Sequence, residues 1–199
     1  MLDWSLENEF FAEGVKVICG TDEAGRGPLA GPVYAAAVIL PEGLVIEGLN
    51  DSKKISEKKR EKLYDLIKEN AVSWAIASAS PEEIDELNIL NASQLAMRRA
   101  VAELQPQPEL TLVDGNVARD FPMRAVTVIK GDAKSPNIAA ASILAKVERD
   151  RYCREMHERY PVYNFAGHKG YPTKEHMDLV REHGPCPEHR RTFLKFLDK

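Results

Sequence analysis

Short apolar runs, set apart by turn residues and by segments of helical periodicity, constrain this chain more than any other feature. Lys16–Asp22, Val33–Leu40, Val72–Ala79, Leu110–Asp114 and Ala125–Lys130 each have the length and content of a strand. The first two are joined by a segment containing Gly25-Arg26-Gly27-Pro28, which predicts an antiparallel pair. Ser56, with Glu57 after it, reads as the cap of a helix that places Leu63, Leu66 and Ile67 on one face. Ser80-Pro81-Glu82-Glu83 joins a capping box to proline at the first helical position. That helical pattern, with a break expected near Asn91, continues to Leu104, where Pro106 and Pro108 stop it. A long helix is predicted from Asn137 to about Tyr160, with an apolar stripe of Ile138, Ala141, Leu144, Ala145 and Tyr152. Pro161–Pro172 reads as a loop. Thr173 caps a helix that Gly184 ends, and a last short helix is expected near Glu188–Leu197. Strands first, then strands alternating with helices, specify a mixed α/β fold with helices packed on a sheet. One domain spanning 1–199 is expected, with about 161–199 as a helical C-terminal part.

Composition excludes several classes. Hydrophobic residues at 44% and charged residues at 29% are those of an ordinary globular chain. The longest apolar stretch, Pro28–Leu40, contains Pro28, Gly31 and Pro32 and falls short of the roughly 20 residues a membrane helix needs. No basic segment followed by an apolar run opens the chain, so no secretory signal is read. Cys19, Cys153 and Cys186 are too scattered for a disulfide framework, which suits a reducing compartment and hence the cytoplasm. The net charge of −4 is concentrated in the leader, where Asp3, Glu7, Glu9 and Glu13 meet no Lys or Arg. Asn50–Lys62 is basic, but such a run is by default a solvated helix face, so charge alone does not identify a nucleic-acid binder.

Chemistry enters with four acidic residues. Asp22 and Glu23, Asp114 and Asp132 each stand at or just beyond the C-terminal end of an expected strand, the edge where α/β sheets bind ligands. Any one of them could be a turn aspartate bonding nearby amides. Together they would repel one another, and a cation would relieve that cost. Oxygen ligands without a matching His or Cys cluster favour Mg²⁺ or Mn²⁺ over zinc. Two such ions can activate water and stabilise a leaving oxygen at a phosphodiester. Directly after the first pair, Gly25-Arg26-Gly27 allows close backbone approach and supplies a guanidinium for phosphate.

The string Asp22-Glu23-Ala24-Gly25-Arg26-Gly27-Pro28-Leu29-Ala30-Gly31-Pro32 closely resembles the signature of bacterial ribonuclease HII. Asp51-Ser52-Lys53-Lys54, Asn88-Ile89-Leu90-Asn91, Val113-Asp114-Gly115-Asn116 and Lys130-Gly131-Asp132-Ala133-Lys134 resemble further blocks of that family, in its order. So do Ile138–Lys146 and His168-Lys169-Gly170-Tyr171-Pro172-Thr173, and together the blocks span about Val15 to Phe193. The resemblance implies a ribonuclease H-like fold: a mixed five-stranded sheet flanked by helices, with a helical C-terminal extension. It implies an endoribonuclease that cuts the RNA strand of RNA–DNA hybrids and incises 5′ of ribonucleotides embedded in duplex DNA. Two metal ions, Mg²⁺ or Mn²⁺, would be held by Asp22, Glu23, Asp114 and Asp132, and the ends left would be a 3′-hydroxyl and a 5′-phosphate. Gly25, Arg26 and Gly27 would recognise the ribonucleotide at the junction. Tyr171 would stack on the following sugar and report the 2′-hydroxyl, the group that separates RNA from DNA. A monomer acting on these nucleic acids, with no membrane partner, is expected.

Other residues have plainer readings. Lys53 is by default a surface lysine, although near a helix start it could hold a backbone phosphate. Lys134, Lys146 and Lys169 are weaker candidates of that kind. His183, Cys186 and His189 invite a zinc reading, but a closed site takes four ligands, so three polar residues on a surface turn are expected instead. Cys19 is expected in the core, and Trp4, Phe10 and Phe11 are read as a small N-terminal helix docking on the domain. A junction resolvase or integrase could use the same carboxylates, but Gly25-Arg26-Gly27 with Tyr171 argues against it. A silent hybrid-binding protein would need one of the four acids replaced, and none is. Ribonuclease HIII, the close relative, usually carries an extra N-terminal domain, which is not expected here from the roughly 15 residues before the first strand.

Overall fold

The computed structural model describes residues 2–50 and 55–198. Five strands, β1 (Ile18–Ala24), β2 (Val33–Ile39), β3 (Ser73–Ala79), β4 (Leu110–Asp114) and β5 (Arg124–Val128), form one sheet in the order β3-β2-β1-β4-β5. β2 pairs antiparallel with β1 and β3, whereas β4 runs parallel to both β1 and β5. The expected mixed sheet flanked by helices is therefore present. Seven helices accompany it among the described residues: α1 (Ser5–Ala12), α2 (Glu57–Asn70), α3 (Pro81–Leu87), α4 (Ile89–Ala102), α5 (Pro136–Arg159), α6 (Phe165–His168) and α7 (Lys174–His183). Among the described residues no helix is long and apolar enough to cross a membrane.

The two-residue period of β2 divides the core. Ala36 and Val38 face α5 and α2, whereas Val33, Ala35, Ala37 and Ile39 face α4. The small side chains of Ala35-Ala36-Ala37 let helices approach both faces closely. On β1, Gly20 does the same for α5: a Cβ there would lie 2.3 Å from the Ile138 nitrogen. The first turns of α5, Pro136–Ala145, are buried on all sides, so an amphipathic stripe understates this helix. Tyr152, expected in its stripe, is only half-buried. Farther along, Cys153 and Met156 seat the C-terminal part against Leu29, Tyr163, Phe165, Val180 and Leu194. Burying each large apolar side chain there contributes about 1.5–3 kcal/mol.

Several local expectations shift. Ser56 is the N-cap of α2 but its side chain makes no capping hydrogen bond, and the buried face is Leu63, Tyr64 and Ile67, with Leu66 exposed. The capping box at Ser80 forms. The break between α3 and α4 falls at Asn88, not Asn91, because Asn88 takes a left-handed φ of 68° and its side chain accepts from the Asn91 amide. Pro161–Pro172 contains a 3₁₀ turn and the short α6, and the expected last helix is instead two 3₁₀ turns, Arg191–Phe193 and Lys195–Asp198. At the N-terminus Trp4 and Phe10 are buried, as expected. Glu7 is buried with them, accepting from Ser135 Oγ at 2.5 Å and Asn137 Nδ2 at 3.0 Å, which ties α1 to the start of α5. Desolvation raises the Glu7 pKa above the ordinary glutamate value.

Candidate active site

The parallel register of β1 with β4 ends at Thr21↔Val113, so the next residues, Asp22 and Asp114, stand together where the two strands part. Asp22 is buried, and Ser142 of α5 donates a hydrogen bond to its carboxylate. Its Oδ1 also accepts from the Glu23 amide at 2.7 Å. Glu23 follows Asp22 on the opposite face of the pleat, beyond the last residue of β1 paired with β4, and it lines the same pocket. Arg26 Nη1 stands 3.3 Å from Glu23 Oε1, with the arginine half-exposed and the glutamate largely buried. Beyond β5, Lys130 adopts a left-handed φ of 55° and turns the chain back into Gly131–Ala133. The Gly131 amide donates to Asp114 Oδ1 at 2.6 Å, which draws the Asp132 turn over the end of β4. A side chain at 131 would strike Ile138.

Asp22, Glu23, Asp114 and Asp132 thus line one pocket of about 230 Å³, together with Gly25, Arg26, Gly27 and Tyr171. Every described site residue expected from the sequence converges there; Lys53 lies outside the described residues. Ser142, Lys146 and Arg149 complete the lining. Their spacing of four and three residues places them on one face of α5, a signal the sequence did carry. Lys134 and Lys169 do not line this pocket.

Burial, then the charges of Glu23 and Asp114, push the Asp22 pKa well above the usual aspartate value, against the opposing pull of Ser142. Glu23 is also raised, chiefly by burial and further by Asp114, although Arg26 draws it down. Among the described residues no three His, Cys, Asp or Glu side chains are grouped as a metal site. The carboxylates instead take separate partners, Glu23 on Arg26 and Asp114 on the Gly131 amide. The donor chemistry, four carboxylates and a serine hydroxyl with no His or Cys in the lining, fits a hard divalent cation that would draw them together.

Tyr171 stands across from the glycine loop. Its ring is 46% exposed, and a Cβ built on Gly27 would be 3.4 Å from Cε1, so glycine keeps the ring face open. The Tyr171 carbonyl is anchored from below by His176 Nδ1 at 2.9 Å. A carbonyl only accepts, so His176 carries its proton on Nδ1 and must accept at Nε2 from His189 Nε2, 3.0 Å away. His189 Nδ1 in turn accepts from the Cys186 amide at 3.0 Å. Each tautomer is therefore set, and both rings are neutral. Burial draws both pKa values down to about 4. His189 and Cys186 are consequently not on a surface turn: of the three residues considered for zinc, only His183 is exposed. Spacing could not reveal the relay, because His176 and His189 meet only through the packing of Tyr163 and Phe165 between the loops.

Most of the chain is similar to known proteins. The family model described as Ribonuclease HII matches residues 19–197. Ribonuclease HII 1 of Methylibium petroleiphilum is 58% identical over 179 residues, covering 90% of each chain. Ribonuclease HII of Idiomarina loihiensis is 59% identical over 177 residues, 89% of this chain and 95% of that one. Among solved structures, ribonuclease H2 from Pyrococcus horikoshii OT3 superposes with a TM-score of 0.75 at 27% identity, covering 92% of this chain and 97% of the other.

Proposed function

The chain belongs to the ribonuclease HII family, a family of metal-dependent nucleases acting on RNA–DNA hybrids, and from that premise we propose which residues do the work and on which substrate. The enzyme incises duplex DNA on the 5′ side of an embedded ribonucleotide, as well as cutting the RNA strand of longer hybrids, and leaves a 3′-hydroxyl and a 5′-phosphate. The observation that carries this reading is the single pocket shared by Asp22, Glu23, Asp114 and Asp132 with Gly25, Arg26, Gly27 and Tyr171. Phosphodiester chemistry and ribose recognition need both halves of that lining.

Asp22, Glu23, Asp114 and Asp132 would hold two Mg²⁺ or Mn²⁺ ions. Bound there, such ions supply Lewis acidity that lowers the pKa of water and offsets charge on the departing 3′ oxygen. Arg26, with its guanidinium half in solvent, is placed to take a phosphate oxygen once released from Glu23. Lys53 adds a backbone phosphate contact, and Lys146, lining the pocket, pairs with Asp150 at 2.6 Å. The Tyr171 ring stacks on the deoxyribose that follows the ribonucleotide, its position held through the His176 bond to its own carbonyl. Gly25 and Gly27 bring backbone close to the ribose, where the 2′-hydroxyl is read. The protein acts as a cytoplasmic monomer whose residues 161–199 form a helical part of one catalytic domain.

An end-labelled DNA duplex carrying one ribonucleotide tests the reading beside an all-DNA control. Incision 5′ of the ribonucleotide with Mg²⁺ or Mn²⁺, abolished by EDTA and absent from the control, is the expected result. Cutting of the control, or no incision with either ion by folded protein, would overturn it.

A further inference from the structure

We propose that Arg190 is a positioning residue for the Gly25–Gly27 loop: from behind, its guanidinium turns two peptide groups so that their N–H groups face the substrate. The inference rests on the reading of that loop as the ribonucleotide-contacting element.

Arg190 is fully buried and does not line the active-site pocket. Its three nitrogens each take a different carbonyl: Nη2 donates to Gly25 O at 2.6 Å, Nη1 to Arg26 O at 3.0 Å and Nε to Gly31 O at 2.9 Å. Among the described residues no carboxylate stands within ion-pairing distance of it, so the loop carbonyls are its counter-dipoles. Burial and the neighbouring Arg149 draw its pKa down to about 9, which leaves it charged at neutral pH. Burying an unpaired guanidinium is costly, and a surface arginine beside Arg191 would have sufficed for packing.

Peptide planarity converts those contacts into a consequence for the other face of the loop. In a trans peptide the carbonyl and the amide hydrogen point in opposite directions. With Gly25 O and Arg26 O drawn to Arg190, the amides of Arg26 and Gly27 point away from it, toward the pocket that Gly25–Gly27 line. No protein acceptor for either amide is found among the described residues. The loop thus offers two adjacent, pre-aimed donors for a hydroxyl or phosphate oxygen.

The support is rigid on every side. Arg190 N donates to Leu29 O at 2.8 Å and Gly31 N to Glu188 O at 2.8 Å, bracketing the loop with short backbone bonds. Asp85 of α3 accepts from the Arg191 and Thr192 amides at 2.7 and 2.9 Å, fixing the chain just past Arg190. Arg149 adds a further contact: it donates to Ala30 O at 3.0 Å and packs so tightly on Gly25 that a Cβ there would lie 2.2 Å from its Nε.

The test uses full-length wild type, Arg190→Lys and Arg190→Gln on the single-ribonucleotide duplex and on a uniform RNA–DNA hybrid. Mn²⁺ affinity is measured separately by paramagnetic resonance. Neither lysine nor glutamine can span three carbonyls with a planar fork. Since a misplacement of about 1 Å costs on the order of 10²-fold, kcat on the ribonucleotide duplex should fall by roughly that factor. KM and Mn²⁺ affinity should stay within about twofold, because phosphate contacts elsewhere supply most of the affinity. Variants that cleave within about threefold of wild type, or that lose Mn²⁺ binding and KM in step with kcat, would overturn the proposal. If neither variant folds, wild type decides it. The Arg190 Nε–H resonance should be protected from exchange and shift on binding the ribonucleotide duplex in Ca²⁺, but not on binding all-DNA duplex. Free exchange, or equal response to both duplexes, overturns it. Wild type that fails to incise the ribonucleotide duplex would instead refute the reading of the loop's role.

Discussion

Acid should unfold this protein earlier than its carboxylates alone require, because the His176–His189 relay holds two neutral imidazoles. His176 and His189 are 0% and 1% exposed, and each has its pKa drawn from 6.5 down to about 4. In the unfolded chain both take a proton below pH 6.5; in the fold neither does until about pH 4. The unfolded state therefore binds more protons across that window, and stability falls as pH drops through it. A tenfold difference in proton affinity between the two states is worth about 1.4 kcal/mol, so each histidine removes about 2 kcal/mol by pH 5 and about 3 kcal/mol by pH 4. Urea unfolding from pH 7.5 to 4.5 measures the total, but Asp22, Glu23 and Glu7, with raised pKa values, act in the opposite direction. The clean quantity is wild type minus His189→Gln, whose amide keeps the donor to His176 but does not titrate. That difference should shrink by about 2 kcal/mol between pH 7.5 and 5. Parallel curves, constant to within about 0.5 kcal/mol, would refute the neutral relay and the tautomers deduced from it.

Three further outcomes follow from the site and its frame. Asp114→Asn keeps an oxygen for the Gly131 amide, now at 2.6 Å, so the fold should persist. Cleavage should nevertheless be lost while hybrid binding is kept or improved, since one negative charge is gone; binding lost along with activity would count against the role of Asp114. Mn²⁺ should raise the Tm of wild type more than that of this variant, read by thermal scans with and without EDTA. Tyr171→Ala should cut cleavage at a lone ribonucleotide by about 1–2 orders of magnitude with little change in stability, because the ring is 46% exposed; full retention would sink the stacking role. Gly20→Ala should cost roughly 3 kcal/mol or more in urea unfolding, since its Cβ would meet backbone 2.3 Å away rather than a movable side chain.

Much of the fold and of the site was legible before any tertiary contact was known. Strand runs, the Ser80 capping box, the Thr173 cap and the four acids that line the pocket, Asp22, Glu23, Asp114 and Asp132, all carry local signals in the sequence. A strand end is a local property, and the C-terminal edge of parallel strands places Asp22 and Asp114 side by side, whereas Asp132 is brought there by the turn at Lys130–Gly131. Where local rules compete, sequence reading slips by a turn. Leu66 satisfies helical spacing but faces solvent because Tyr64 fills the space beside α5, and Asn88 rather than Asn91 breaks the helix because a left-handed residue with a capping side chain suits that corner.

What only the tertiary structure decided is the set of polar groups that work over long separations. Arg190 reaches Gly25 across 165 residues, Glu7 meets Asn137 across 130, and His189 meets His176 because two loops pack around Phe165. In the sequence Arg190 is one of two adjacent arginines, Glu7 one of several acids in a leader, and His189 one of three polar residues read as a surface turn. Nothing local distinguishes them, since a hydrogen bond of this kind is specified by where two chain segments meet, and that is settled by the burial of apolar surface elsewhere. Apolar periodicity selects the layers; only their packing determines which charges end up beneath the Gly25–Gly27 loop.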